Sequence, residues 1–193
     1  MISEKMTELG KNRSVIREIF EYSKKRAAEI GAENVFDFSL GNPNVPAPEE
    51  VHQVFKELLD TRDDVYLFGY TSAQGDLEVR KAIADDLNRR FQTNFRPDNF
   101  YMTCGAAASL RITLEAMTVP GDEYIIFTPY FPEYKVFVEA AGGHFVPAAT
   151  NGETFQIDFD RLEAAVNEHT KGIFVNSPNN PSCLLYTSPS PRD

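Results

Sequence analysis

Cysteine is almost missing from these 193 residues: only Cys104 and Cys183 are present. Neither a disulfide framework nor a cysteine zinc site is encoded, and Cys104 is expected as a small buried hydrophobe. Histidine is nearly as sparse, with His52, His144 and His169 scattered singly among helix and strand signals; no chemistry is assigned to them. Positive charge is in the minority, since 19 Lys and Arg face 29 Asp and Glu for a net charge of −10. That balance excludes the basic footprint of a nucleic-acid or anionic-membrane binder. No apolar run approaches the roughly 20 residues of a membrane span. The opening "MISEKMTELGKNRSVIREIF" has no apolar core of signal-peptide length, so the expected location is cytoplasmic. What the chain does have is 42% hydrophobic residues and the length for one substantial core.

Val15, Ile16, Ile19, Phe20, Ala27 and Ile30 recur at helical spacing, with Gly31 where a left-handed cap would sit. "NVFDFSL" alternates like a short strand, and "GNPNVPAP" reads as a dense turn and a boundary. Pro48 opens a helix whose stripe is Val51, Val54, Phe55, Leu58 and Leu59. A helix carrying Leu77, Val79, Ile83, Ala84, Leu87 and Phe91 leads to "PDNFYMTCG", read as strand and tight turn. Then the units alternate: "AAASLRITLEAMT" helix, "EYIIFTP" strand, "EYKVFVEAAGG" helix, "HFVPA" strand, "FDRLEAAVNEH" helix capped by Asp158, "KGIFVNSP" strand. Such alternation predicts an α/β fold, a mostly parallel sheet with helices on both faces.

Ligands of open α/β sheets bind outside the carboxyl ends of the strands. Three such places stand out. In "MTCGAAASL", Gly105 and a first helical turn of Ala106, Ala107 and Ala108 offer free N–H groups to a phosphate, or small residues for close helix packing. In "FTPYFPEY", Tyr130 and Phe131 offer an aromatic face, or ordinary core packing. In "VNSPNNPS", Pro178 and Pro181 stiffen a turn that holds the Asn180 amide, or is only a turn. Phosphate cradle, aromatic plate and fixed amide together suit a phosphorylated aromatic cofactor.

Across residues 15–182, "SLGNPNVPAPEEV", "GYTSAQGDLEVRKAIA", "TCGAAASL", "PGDEYIIFTPYFPEY" and "NSPNNPS" occur in the order found in the fold type I pyridoxal-phosphate enzymes. The chain resembles their class I/II aminotransferases, of the aspartate aminotransferase-like kind. The resemblance implies that Gly105, Ala106 and Ala107 cradle the phosphate of pyridoxal 5′-phosphate, that Phe131 stacks on its pyridine, and that Asn180 contacts its phenolic oxygen. It implies that Tyr70 reaches the phosphate of a neighbouring subunit, hence a homodimer, and that Gly41 lines the substrate side. Substrates would be an amino acid and a 2-oxo acid. Residues 1–46 would form an N-terminal arm and the first part of a small domain, and 47–182 the N-terminal part of the large cofactor-binding domain.

In that family the lysine that holds the cofactor, the aspartate on its ring nitrogen and the arginine on the substrate carboxylate all follow an Asn-Pro-Ser/Thr-Gly motif. Here Cys183 stands at the glycine position and "CLLYTSPSPRD" follows. No catalytic residue is assigned, and Lys81, Lys135 and Lys171 match no Schiff-base position. One back-translation of residues 183–193 resembles a transposase-end adapter used in preparing sequencing libraries, so these residues are expected to be a non-native tail on an N-terminal fragment. The fragment is expected to be inactive. A carbon–sulfur lyase on the same scaffold, or a non-catalytic cofactor-binding protein, is the alternative.

Overall fold

The computed structural model describes residues 2–11, 14–41 and 45–186. Residues 42–44 of the expected "GNPNVPAP" turn and 187–193 of the expected tail, with Pro189 and Pro191, lie outside the described residues. The chain divides into two compact units, Met1–Tyr70 and Thr71–Asp193.

In the first unit, α1 (Glu4–Lys11) and α2 (Val15–Ile30) precede a short 3-10 turn at Ala32–Asn34. After it come α3 (Glu49–Thr61) and α4 (Asp64–Phe68). Gly31 ends α2 with φ +91° and ψ 138°, outside the left-handed helical region expected of it, while its N–H still closes on the Ala27 carbonyl. Pro48 precedes α3 as expected, where no N–H is needed. The apolar stripes of α2 and α3 are present, yet neither helix buries a residue. The strand expected in "NVFDFSL" does not form: Phe36 and Phe38 are 80% and 92% exposed. Alternation is only half of a strand, which also needs a ladder partner for its backbone.

The second unit begins with α5 (Leu77–Phe91), capped by Asp76 Oδ1 accepting from Val79 N at 3.0 Å. A 3-10 turn at Pro97–Asn99 leads into a segment that carries no strand at 100–104, contrary to expectation. Among the described residues it too has no neighbouring strand, and Cys104 is consequently exposed rather than buried. Then follow α6 (Ala106–Met117), β1 (Glu123–Thr128), α7 (Glu133–Ala140), β2 (His144–Ala149), α8 (Phe159–Ala165) and β3 (Thr170–Phe174). Asp158 caps α8 through Arg161 N at 3.1 Å, as the sequence predicts.

The three strands lie in the order β2-β1-β3, and both pairings are parallel. Central β1 is buried on both sides, which explains its unbroken apolar run. Tyr124 and Ile126 pack with Leu114 of α6 and Val138 of α7. Ile125 and Phe127 face the other way onto Ala148, Leu162 and Ala165, so α8 covers the opposite face. The crossover from β1 to β2 and the return from β2 past β1 to β3 run in opposite directions. With one hand preserved, their helices fall on opposite faces. At the edge of this core Tyr124 OH and Thr118 Oγ1 share a hydrogen bond of 2.8 Å. Tyr124→Phe is expected to cost about 1 kcal/mol of stability, read from urea unfolding; no change would mean that water serves Thr118 equally well.

Candidate cofactor site

The carboxyl ends of β1 and β3 are neighbours, because β1 sits between the other two strands. After β1 the chain passes a cis Thr128–Pro129 peptide and places Tyr130 and Phe131 before α7. The Tyr130 ring tilts onto Phe145 at 4.8 Å, partly buried against the core. Phe131 is half-buried and meets Tyr134 in a T-shaped contact, centroids 5.5 Å apart at 74°. Burial pushes the Tyr134 phenol above its ordinary value, so it stays neutral beside that ring.

After β3 the chain turns through cis Ser177–Pro178 and cis Asn180–Pro181 peptides. Asn180 is exposed, while its neighbour Asn179 is only 5% exposed. Asn179 Nδ2 donates to the Pro129 carbonyl at 3.1 Å and to Ser182 Oγ at 2.8 Å. The turn that carries Asn180 is thereby tied to the turn that carries Phe131. Thr150, buried just past the end of β2, separately joins that strand end to the end of β1 by donating to the Thr128 carbonyl at 2.6 Å. Neither Asn179 nor Thr150 is singled out by the sequence, where a polar side chain directly after an apolar strand is the one signal that Thr150 carries. Part of the expected tail continues this arrangement, with Asn179 N donating to Leu184 O at 2.8 Å and Tyr186 N to Ser177 Oγ at 3.1 Å.

Gly105 precedes α6 with φ +90°, a backbone that glycine adopts without strain. No side chain caps this helix, and a Cβ built at Gly105 meets nothing within 4 Å. Ala106, Ala107 and Ala108 place only methyl groups around the first-turn N–H groups. Thr103 Oγ1 braces the loop by donating to Gly105 O at 3.2 Å and by a short hydrogen bond with Ser109 Oγ. Because α6 packs on the same face of β1 as α7, the cradle and the Phe131 turn belong to one layer. Gly41 and Tyr70 lie in the other unit, Gly41 with open space at its Cβ position and Tyr70 fully exposed.

Residues 33–190 match the family model of aminotransferase class I and II. The chain belongs to this aminotransferase family. Aspartate aminotransferase of Thermotoga maritima is 30% identical over 188 residues, which are 96% of this chain and 48% of that protein. An aminotransferase structure from Eubacterium rectale is 56% identical with a TM-score of 0.92, covering 97% of this chain and 47% of that one. An alanine aminotransferase structure from Pyrococcus furiosus is 25% identical with a TM-score of 0.81, covering 97% and 46%. The chain thus spans about half the length of these relatives. Its fold is that of the fold type I aminotransferases, whose members use pyridoxal 5′-phosphate.

The residues present fit that group. An uncapped helix start lined by methyl groups suits a phosphate dianion, through unpaired N–H donors and the positive end of the helix dipole. The half-buried Phe131 ring and the exposed Asn180 amide sit on turns that Asn179 joins. Among the described residues no group of His, Cys, Asp and Glu could hold a metal ion. No helix of the described residues is long and apolar enough to cross a membrane.

Proposed function

We propose that this chain is the N-terminal part of a pyridoxal-phosphate-dependent aminotransferase that moves an amino group between an amino acid and a 2-oxo acid in the cytoplasm. Residues 1–46 contribute the arm and the start of the small domain; 47–182 contribute the large domain's cofactor half, and 183–193 are non-native. The observation that carries the cofactor reading is the uncapped start of α6 at Gly105, in a chain of this family. The N–H groups of Gly105, Ala106 and Ala107 donate to the phosphate, Phe131 stacks on the ring, and the Asn180 amide donates to the phenolic oxygen. Bound there, the cofactor supplies an electron sink for the charge left when the substrate α-proton departs. Tyr70 serves the phosphate of a second subunit in a homodimer, and Gly41 leaves room for substrate.

Amide exchange on this chain tests the cradle. Pyridoxal 5′-phosphate and inorganic phosphate are expected to slow Ala106 and Ala107, and pyridoxal, which lacks the phosphate, is not. Gly105→Val puts a side chain in the open space and costs about 1–3 kcal/mol of backbone strain, so it should remove the slowing. Equal protection by pyridoxal, or none by any of the three, rejects the cradle.

A further inference from the structure

Among the described residues the buried polar side chains are Arg80, Thr150 and Asn179. The last two sit at the carboxyl ends of the strands. Arg80 does not, and it is the one that carries a permanent charge, at 5% exposure. A guanidinium taken out of water must find acceptors. Its Nε donates to Gly75 O at 3.3 Å and its Nη1 to Pro97 O at 3.0 Å. Asp98 Oδ1 lies 3.6 Å from Nη1, but that carboxylate is 83% exposed and contributes little. The two carbonyls therefore define what Arg80 does: it joins the turn at 72–75 to the 3-10 turn at Pro97–Asn99.

The 72–75 turn is closed by Gly75 N on Ser72 O at 2.8 Å and by Ser72 Oγ on Gly75 O at 2.6 Å. On its far side Gln74 O accepts from Met102 N at 2.9 Å. Gly75 has φ +95°, and a Cβ there would overlap the Met102 side chain. The turn is thus held between the guanidinium and Met102. The segment at 100–104 has no strand ladder to fix it, so the Met102 bond to Gln74 sets its position. Thr103, the next residue, braces Gly105 and Ser109 at the start of α6.

We propose that Arg80 is a positioning residue for the cradle at Gly105: by holding the 72–75 turn against Met102, it fixes where the 100–105 segment delivers the first turn of α6. This rests on the reading that the cradle takes the cofactor phosphate. The two carbonyls demand a planar donor that serves both at once, which a lysine ammonium does with poorer geometry.

Residue-resolved hydrogen exchange on the whole chain tests it, with the unsubstituted protein, Arg80→Lys and Asp98→Asn, each with and without pyridoxal 5′-phosphate. Arg80→Lys is expected to speed exchange at the Met102 and Ser109 amides about tenfold through local opening, leaving Ile125, Ile126 and Phe127 unchanged. It should also raise by about tenfold the concentration of pyridoxal 5′-phosphate that slows Ala106 and Ala107, because a misplaced cradle loses aligned donors. Asp98→Asn should change none of these. The proposal is overturned if Arg80→Lys leaves Met102 and Ser109 as they were, if β1 accelerates by the same factor, or if Asp98→Asn reproduces the effect. Failure of pyridoxal 5′-phosphate to slow Ala106 and Ala107 in the unsubstituted chain removes the cofactor reading instead, and exchange at Met102 still decides the part played by Arg80.

Discussion

Borohydride added to this chain in the presence of pyridoxal 5′-phosphate is expected to fix no stoichiometric adduct on a single lysine, and an amino acid with a 2-oxo acid is expected to yield no exchanged product. A lysine that condenses with an aldehyde must be neutral when it attacks. Lys81, Lys135 and Lys171 each lie beside a carboxylate. Lys81, on an exposed turn of α5, bonds Asp85 at 2.7 Å, and that hydrogen bond and charge hold its ammonium above the usual range. Lys135 lies 3.8 Å from Glu139 and Lys171 3.6 Å from Asp122. All three side chains are exposed rather than enclosed in an apolar pocket, the setting in which a lysine becomes a nucleophile. Mass spectrometry after reduction decides the matter: scattered, substoichiometric labelling agrees with the proposal, and one adduct per chain on one lysine defeats it.

Much of the second unit was legible because its elements are locally decided. The β1 run "EYIIFT" is apolar throughout since both its faces are covered, and Asp76 and Asp158 mark the helix starts they cap. Gly142, at φ +87°, closes α7 where the paired glycines predict a stop. The failures share a physical cause. "NVFDFSL" and "NFYMTC" have strand-like patterns, but a pattern specifies a face and not a partner. Without a ladder among the described residues both stay irregular, and Cys104 stays exposed with its segment.

The candidate site divides the same way. Gly105, Phe131 and Asn180 stand out as candidates in the sequence because each follows an apolar run or opens a helix. Asn179 and Arg80 were not, since their importance lies in distant carbonyls, Pro129 for one and Pro97 for the other. In "NSPNNPS" two asparagines stand side by side. Only burial separates the one that ties the turns together from the one left exposed.

Removing the Ile126 side chain beyond Cβ is expected to have the largest effect on stability. Ile126 is 1% exposed and packs with Leu114, Tyr124 and Val138, so Ile126→Ala opens a cavity between α6, α7 and the sheet. The expected loss is about 2–5 kcal/mol, a large part of what a domain of this size commonly has. The comparison that gives this meaning is Phe38→Ser, a chemically greater change at a residue that is 92% exposed. That replacement should stay within about 0.5 kcal/mol, because no packing is lost. Urea unfolding of both variants, followed by tyrosine fluorescence, separates the cases. Equal losses would place Phe38 in a packed environment that the structure denies it, and a negligible loss for Ile126→Ala would mean that the two-faced core around β1 does not hold the chain together. The expected asymmetry also bears on the site, because Pro129 and the Phe131 turn begin at Thr128, two residues after Ile126 on the same strand. Loosening that strand should therefore weaken protection of Ala106 and Ala107 by pyridoxal 5′-phosphate, through α6, while Phe38→Ser leaves it intact.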